Sequence, residues 1–580
     1  MKIQYPATVI TLFILFCMHQ SCKPMKYADT IFINGKIITV SKDFAICEGV
    51  AISGDKIMAV GTSNEIKKLS GPGTTRIDLH GKTIIPGLID AHLHPESASL
   101  SELAEEIPDV HNISQLLNWI KSEAGKKKHG DWIIHPKFFP TRLNEMRQPT
   151  LKELDSVAPD NPVFLDGSFG GMINSKAMTI SGITRKSDSP GIIKDINTGL
   201  PTGFIRSSAF SQLKITQTRS LSAEEKENAL VSMLRHYNEY GLTSLFSGAG
   251  NPESMEIYRD MANKKILSAR ICQIILLPSL KKITRESVDS TLKLYKTVTG
   301  GGDEWVRTGS LKVFLDGGIL TGTAFMKEPW GIRTMNMFGI EDKDYHGVVN
   351  FSREELLTLV SEANAYNWSF TAHATGEAAV DLLIDVYGEV DRQKSIRDRR
   401  FSIIHGNFFS DEAVRKMAEL NVYANIQPAW FYKDAAAMES ILGSDKIKIF
   451  HPYRHMTDAG VMINGGSDHM VKWDANSSIN PYNPFLAIYA MVTRKTESGS
   501  LILPAQALIR EEALKAYTIN NAYASFEESI KGSIEPGKLA DMAVLSDDIL
   551  TCSEEKIKEI KSLMTILGGK TVYGSPKDLN

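Results

Sequence analysis

The run Ile84-Ile85-Pro86-Gly87-Leu88-Ile89-Asp90-Ala91-His92-Leu93-His94 constrains the fold of this chain more than any other stretch. An apolar, β-prone segment ends in two histidines separated by one residue. Side chains alternate faces along a strand, so residues i and i+2 point the same way. Both imidazoles therefore project from one strand end toward one point, where a single metal ion can sit. Two imidazoles that close a buried strand and face one spot need a partner.

At 580 residues, the chain has room for one large α/β barrel with additions, or for two to three ordinary domains. Its 42% hydrophobic and 23% charged residues are a globular composition. A net charge of −3 and the lack of a basic tract with interleaved aromatics argue against a nucleic-acid partner. The short cluster Lys126-Lys127-Lys128 reads as a solvated helix end.

The first residues have a different character. Lys2 precedes an apolar run over about 7–17, short for a membrane span but suited to the core of a signal peptide over 1–22. Ser21-Cys22-Lys23 resembles a lipoprotein cleavage pattern, in which Cys22 becomes the lipidated N-terminus, although His19 stands where that pattern prefers an aliphatic residue. The expectation is an exported protein, anchored by lipid at Cys22 and facing the periplasm or cell surface; ordinary secretion and an uncleaved anchor are the alternatives. Cys47, Cys272 and Cys552 are scattered singly and suggest neither a metal pair nor a disulfide framework.

Segments 27–40 and 50–61 each read as two short strands, turning at Asn34-Gly35 and Gly54-Asp55. Near the other end, 539–545 and 565–573 are strands, the second turning at Gly568-Gly569. None can hold a core alone. They predict a composite β-sandwich from both chain ends, 27–82 and 525–576.

Between them lies a barrel region, 83–524. After the His-x-His strand come strand candidates at 243–247, 269–275, 311–315, 370–372, 401–404, 422–426 and 461–464. Segments of 3.6-residue periodicity at 223–240, 353–366, 377–390 and 411–420 separate most of them. The tally reaches the eight strands of a (β/α)8 barrel. The stretch of about 97–222 exceeds any ordinary connection and reads as an insertion after the first barrel strand.

In such barrels chemistry sits at the C-terminal ends of the strands. His92 and His94 end the first. Lys312 lies in the fourth, His373 ends the fifth, His405 ends the sixth, and Asp468 follows the eighth in Gly465-Gly466-Ser467-Asp468. Singly, His373 or His405 reads as a core histidine, Lys312 as a lysine reaching for solvent, and Asp468 as a helix cap. Together, in barrel order, they read as a metal centre.

The chain resembles the amidohydrolase superfamily and, within it, the YtcJ-like branch called amidohydrolase family 3. The likeness runs from about Ala28 to Tyr573. Besides the candidate ligands it includes Ala158-Pro159-Asp160-Asn161-Pro162-Val163, Asn174-Ser175-Lys176-Ala177, Ala490-Met491-Val492-Thr493-Arg494 and Ala516-Tyr517-Thr518-Ile519-Asn520. It also includes a C-terminal signature, Lys531-Gly532-Ser533-Ile534-Glu535-Pro536-Gly537-Lys538-Leu539-Ala540-Asp541.

The resemblance implies two divalent metal ions, usually zinc, with His92 and His94 on one and His373 and His405 on the other. It implies that Lys312, carboxylated by carbon dioxide, bridges them, since an ammonium has no lone pair to offer a cation. Asp468 would bind a metal and act as general base for hydroxide attack on a carbonyl. Asp90 is a candidate for support behind the ligands or a plain strand-end residue; His469 and Trp473 are candidates for substrate contact or plain loop residues.

Three features depart from the family pattern. Ile403-Ile404-His405 replaces Ile-Glu-His, Gly376-Glu377 replaces Gly-Asp, and Asp166-Gly167-Ser168 stands where the insertion commonly carries Asp-Gly-His. The last implies a different substrate, or another group supplied in place of that histidine. The expected function is metal-dependent hydrolysis of a non-peptide carbon–nitrogen bond in a small molecule. Hydrolysis of an ester, lactone or carbamate on the same centre, and a non-catalytic binding lipoprotein, are the alternatives. Substrate identity, choice of metal and whether the chain is a homo-oligomer are not legible.

Overall fold

The computed structural model describes residues 27–579, apart from 104, 217–219, 332–333, 335–336 and 341. The leader expected over 1–22 lies outside the described residues. Among those described, no helix is long and apolar enough to cross a membrane.

Eight strands form one parallel sheet: β1 (Leu88–Leu93), β2 (Leu242–Gly250), β3 (Arg270–Leu276), β4 (Val306–Phe314), β5 (Phe370–Ala374), β6 (Ser402–His405), β7 (Tyr423–Ile426) and β8 (Ile463–Gly465). Each pairs with its successor, so spatial order equals chain order. All eight predicted strands are present, and the sheet curls into a nearly closed (β/α)8 barrel. Strands covered on both faces read as continuous runs rather than alternations, as in the fully buried β5.

The surrounding helices follow local rules. In Asp411–Leu420, Ala413, Val414, Met417 and Leu420 recur at helical spacing and form the buried stripe. The Ser410 hydroxyl accepts the Ala413 N–H at 3.1 Å, and left-handed Asn421 ends the helix.

Closure between β8 and β1 does not use a regular ladder. The Asp468 N–H donates to the His92 carbonyl at 2.6 Å. Asp90 Oδ1 accepts the N–H groups of both His92 (2.9 Å) and Ser467 (3.1 Å). Asn425 Nδ2 donates to the Ala91 carbonyl at 2.7 Å, and Asn521 Nδ2 bridges the carbonyls of Ile89 and Gly465. A Cβ at Gly466 would lie 2.7 Å from the His92 nitrogen, so glycine permits this approach.

Both chain ends build a β-sandwich. One sheet orders Lys56–Gly61, Gly49–Ser53, Ala28–Ile33 and Ser70–Asp78; the other orders Lys570–Gly574, Ser562–Leu567, Met542–Leu545, Thr83–Pro86, Lys36–Ile38 and Ile46–Cys47. Phe32, Val50, Ile52, Val544 and Ile566 share the core between them. Thr83–Pro86, read from the sequence as the start of the barrel, instead pairs with Met542–Leu545 through Ile84 opposite Val544. The chain passes from sandwich to barrel at Gly87, where any Cβ would run into the Thr243 side chain.

The insertion has its own five-stranded sheet, ordered Ile192–Lys194, Pro201–Arg206, Gly170–Ile173, Val163–Asp166 and Ile133–Pro136. Its apolar residues form two small cores, one around Leu154 and Leu165 and one around Phe164 and Ile205.

A buried ion pair fastens barrel to sandwich. Arg270 on β3 donates from Nε (2.7 Å) and Nη2 (3.1 Å) to Asp541, just before the Met542–Leu545 strand. Removing one partner of such a pair leaves an uncompensated buried charge, costing about 3–5 kcal/mol. Asp541→Ala should lower the urea-unfolding free energy by about that much, with Asp541→Asn intermediate. A loss below about 1 kcal/mol would show that the pair does not couple the two parts.

Candidate metal centre and active site

The barrel mouth gathers the sequence-predicted residues at strand ends. β1 is buried along its whole length, and its two-residue period aims Asp90, His92 and His94 to one side. His92 Nε2 lies 3.4 Å and His94 Nε2 3.2 Å from Asp468 Oδ1. These three ligand atoms fall within 4.8 Å of one another. Lys312 Nζ stands 3.2 Å from His92 Nε2. His373 and His405 form an adjacent pair with ring centroids 4.4 Å apart, and His405 lies 5.4 Å from His92. Gly248 makes room: a Cβ there would come 2.5 Å from His92 Cε1 and 3.0 Å from His94 Cε1.

Backbone strain concentrates here. Asp468 (φ 54°), His405 (φ 77°), Ser168 (φ 70°) and Lys137 (φ 55°) are all left-handed non-glycine residues. Each such residue costs on the order of 1 kcal/mol and persists where its surroundings over-determine it.

Hydrogen bonds assign the free nitrogens. His405 Nδ1 donates to Gln427 Oε1 at 2.8 Å, leaving Nε2 as the lone-pair nitrogen. His373 Nε2 donates to the Gly317 carbonyl at 3.0 Å, leaving Nδ1. Such partners fix tautomer and ring orientation in metal-binding histidines. Trp430 stacks on His405 with centroids 5.0 Å apart, and Phe169 lies against His373 at 4.8 Å. Asn480 Nδ2 donates to the Asp468 carbonyl (2.7 Å) and to its Oδ2 (3.2 Å), leaving Oδ1 turned to the histidines.

The electrostatics favour lone pairs. Burial pushes His92 and His373 down to about 3, with Lys312 adding to the fall, and holds His405 well below the ordinary histidine range. The imidazoles are thus neutral, as ligation requires. Burial also lowers Lys312 to about 8, opposed by Asp468. Burial acts to raise the Asp468 carboxyl, but the imidazoles of His92, His94 and His405 around it outweigh that and hold the group well below the usual range. A carboxylate among neutral imidazoles and a readily deprotonated lysine suits divalent cations. The His92 Nδ1 atom is buried without a hydrogen-bond partner among the described residues, so this ring is held by packing and by what meets Nε2.

Asp90 lies behind the site, where its carboxylate staples the seam; burial raises its pKa to about 7. His469 faces away from the cavity. Its Nε2 donates to the Lys472 carbonyl (2.6 Å), its Nδ1 accepts from the Tyr237 hydroxyl (2.8 Å), and its carbonyl accepts the His94 N–H. Trp473 packs on the helix Pro95–Leu100, with its Nε1 donating to the Ala98 carbonyl. Both His469 and Trp473 shape the loop rather than line the site. Sequence reasoning did not single out Gln427, Trp430, Asn480 or Lys137. Only their place one or two residues beyond a strand end could have flagged Gln427 and Lys137.

His94, Lys312, His373, His405 and Asp468 border a cavity of about 440 Å³, walled by apolar groups including Phe139, Phe169, Phe314 and Trp430. A barrel with a histidine–carboxylate–lysine cluster at its C-terminal mouth and an apolar recess defines a metal-dependent hydrolase. The chain belongs to the amidohydrolase family, whose model matches residues 75–573. It is 28% identical to the N-substituted formamide deformylase of Arthrobacter pascens, over 94% of this chain and 98% of that one. It is 25% identical to YtcJ of Bacillus subtilis, over 94% and 99% respectively. An uncharacterized metal-dependent hydrolase from Pyrococcus horikoshii shares the fold with a TM-score of 0.66, at 23% identity over 91% of this chain and 99% of that chain. The protein is thus a hydrolase acting on carbon–nitrogen bonds, with a candidate metal site at its barrel mouth.

Burying neutral histidines makes stability depend on pH. The folded values of His92, His373 and His469 lie at about 3 to 4, that of His405 well below normal, and unfolded histidine titrates near 6.5. Below about 6.5 the unfolded chain takes up these protons and the folded chain does not, so stability is lost as pH falls toward 4. Asp90 and Asp316, both raised to about 7 by burial, act oppositely, because the folded state holds their protons between about 4 and 7. The histidines outnumber them. Chelator-treated protein should unfold at lower urea at pH 5 than at pH 7, each net proton contributing up to about 1.4 kcal/mol per pH unit. A midpoint unchanged or higher at pH 5 would contradict the neutral-histidine assignment.

Proposed function

We propose that the protein hydrolyses a small N-acyl or N-formyl amide on a two-metal centre held by His92, His94, Lys312, His373, His405 and Asp468. The observation that carries this reading is the convergence of His92, His94, Asp468 and Lys312 on one point beside an apolar cavity. The name of the Arthrobacter relative supports a short acyl group.

In this reading zinc ions would be held by His92 and His94, by His373 through Nδ1, by His405 through Nε2, and by Asp468. When bound, such ions lower the proton affinity of water and polarise a carbonyl. Lys312, its ammonium already destabilised by burial, would react as the neutral amine with carbon dioxide, releasing one N–H proton to solvent and leaving an anionic carbamate able to ligate metal. Asp468 Oδ1 accepts the proton of the attacking water and later delivers it to the leaving nitrogen. Asn480 keeps that carboxylate in place, while Trp430, Phe169 and Phe314 keep bulk water from the reacting carbonyl.

Metal analysis of the purified chain should return two ions, and Lys312→Ala should lose metal together with turnover. Asp468→Asn should lower kcat for an N-substituted formamide by about 10²–10⁴. A wild-type chain that carries no metal and gains no activity on adding zinc, manganese or iron would overturn the reading.

The leader supports a cellular address. We propose that the chain is exported and anchored by lipid at Cys22, on the strength of Lys2, the apolar run and Ser21-Cys22. Cys22→Ser should move it from the membrane fraction to the soluble one; an unchanged distribution would count against the anchor.

A further inference from the structure

Ser168 occupies a place where the resemblance leads one to expect a histidine, and the cavity holds a different cation nearby. The insertion strands Ile133–Pro136 and Val163–Asp166 run parallel, with Pro136 opposite Asp166. The next residues of each, Lys137 and Gly167-Ser168, leave the sheet side by side at the cavity wall. The Phe138 N–H donates to the Asp166 carbonyl at 2.6 Å and the Ser168 N–H to Asp166 Oδ1 at 2.7 Å, which fixes both turns. Left-handed backbone at Lys137 and Ser168 marks the same spot.

Lys137 is partly buried, and among the described residues its Nζ has no carboxylate within ion-pair distance and no hydrogen-bond acceptor. It lines the same cavity as Lys312, His373 and Asp468, so it faces the centre. Burial lowers its pKa, with Asp468 and Asp166 opposing from beyond hydrogen-bonding range. Lys137 also lines an adjoining cavity of about 600 Å³. There Arg142 is taken by Asp434 and Lys433 by Glu497, whereas Lys472, 8% exposed, has no such partner among the described residues. Lys137, on the wall that the two cavities share, therefore keeps a positive charge without an ion-pair partner among the described residues, beside the apolar groups of the first cavity. A desolvated ammonium without a counter-ion is costly, and a ligand carboxylate relieves that cost.

We propose that Lys137 is a specificity-determining residue that binds a carboxylate on the substrate, so that the preferred substrates are N-acyl or N-formyl amino acids with an apolar side chain rather than uncharged amides. The proposal rests on the hydrolase reading above and adds the substrate class. The scissile amide lies at the His92–Asp468 cluster, the side chain against Phe169, Phe314 and Trp430, and the carboxylate on Lys137 Nζ.

The test compares N-formylleucine with N-formylisopentylamine, the same molecule without its carboxylate, on the metal-loaded enzyme. A charge-assisted hydrogen bond of this kind predicts a wild-type preference for the acid of at least about tenfold in kcat/KM, expressed mainly in KM. Lys137→Met should collapse that ratio toward one, Lys137→Glu should invert it, and Lys137→Arg should restore much of it; circular dichroism checks that each variant folds. Hydrolysis of both compounds at a ratio that none of these variants changes leaves the hydrolase standing and overturns the carboxylate site. A loss in Lys137→Met that is equal for both compounds overturns it too, since a structural or transition-state role acts on both alike. If wild type hydrolyses neither, the formamide reading fails separately and calorimetry with the same pair decides. Preferential binding of the acid, lost in Lys137→Met, supports the site; absent or equal binding overturns it.

Discussion

The Asp468 N–H meets the His92 carbonyl at 2.6 Å, across the one gap in the barrel that no regular strand ladder closes. The candidate ligands straddle that gap: His92 and His94 belong to β1, and Asp468 follows β8. Whatever sets the distance between these strands also sets the distance between imidazole and carboxylate. The protein does it with side chains, through Asp90, Asn425 and Asn521, and with Gly466, which lets the backbones approach. A slip of one residue in β1 would turn both imidazoles out of the barrel. Seam closure and ligand convergence are thus one constraint, and the buried carboxylate of Asp90 serves both.

Electrostatics follow from this geometry. His92, His373 and His405 are buried beside Lys312 and Asp468, and these three imidazoles respond by staying neutral. Neutral rings keep one nitrogen as a lone pair, and Gln427 and Gly317 decide which nitrogen on His405 and His373 that is. The same desolvation brings Lys312 down to about 8, into the range where its amine is available to react. Burial therefore prepares the ligand set by removing protons, with no need for a strong base nearby.

Much of this was legible in the sequence because the relevant signals are periodic. His92 and His94 share a face through the two-residue repeat, and Lys312, His373, His405 and Asp468 could be placed by counting strand ends. The barrel strands were readable for the same reason: each is a short apolar run between helical periods. What escaped depends on contacts distant in the chain. Thr83–Pro86 looks like the beginning of β1, but its partner is Met542–Leu545, and nothing local distinguishes a sandwich strand from a barrel strand. His469 follows Asp468 directly, yet the left-handed backbone at Asp468 turns it toward Tyr237 instead of the cavity. Trp430 and Asn480 lie in helical and loop segments with no chemical signature; only the folded barrel brings them against His405 and Asp468.

The division between barrel and insertion has a chemical meaning. Every candidate ligand comes from a barrel strand or its immediate end, where neighbouring strands over-determine position. The groups that complete the cavity wall beside the cluster, Lys137, Phe139, Ser168 and Phe169, come from the insertion, which has its own sheet and its own small cores. An exchange in the insertion therefore alters what is recognised without disturbing what is coordinated. The Ser168–Lys137 pair illustrates this. The departure from the expected histidine falls at the end of one insertion strand, the lysine at the end of the next, and the six barrel positions are untouched. A rigid parallel register between those two strands lets one supply a polar group where the other lacks it, at nearly the same place in the wall.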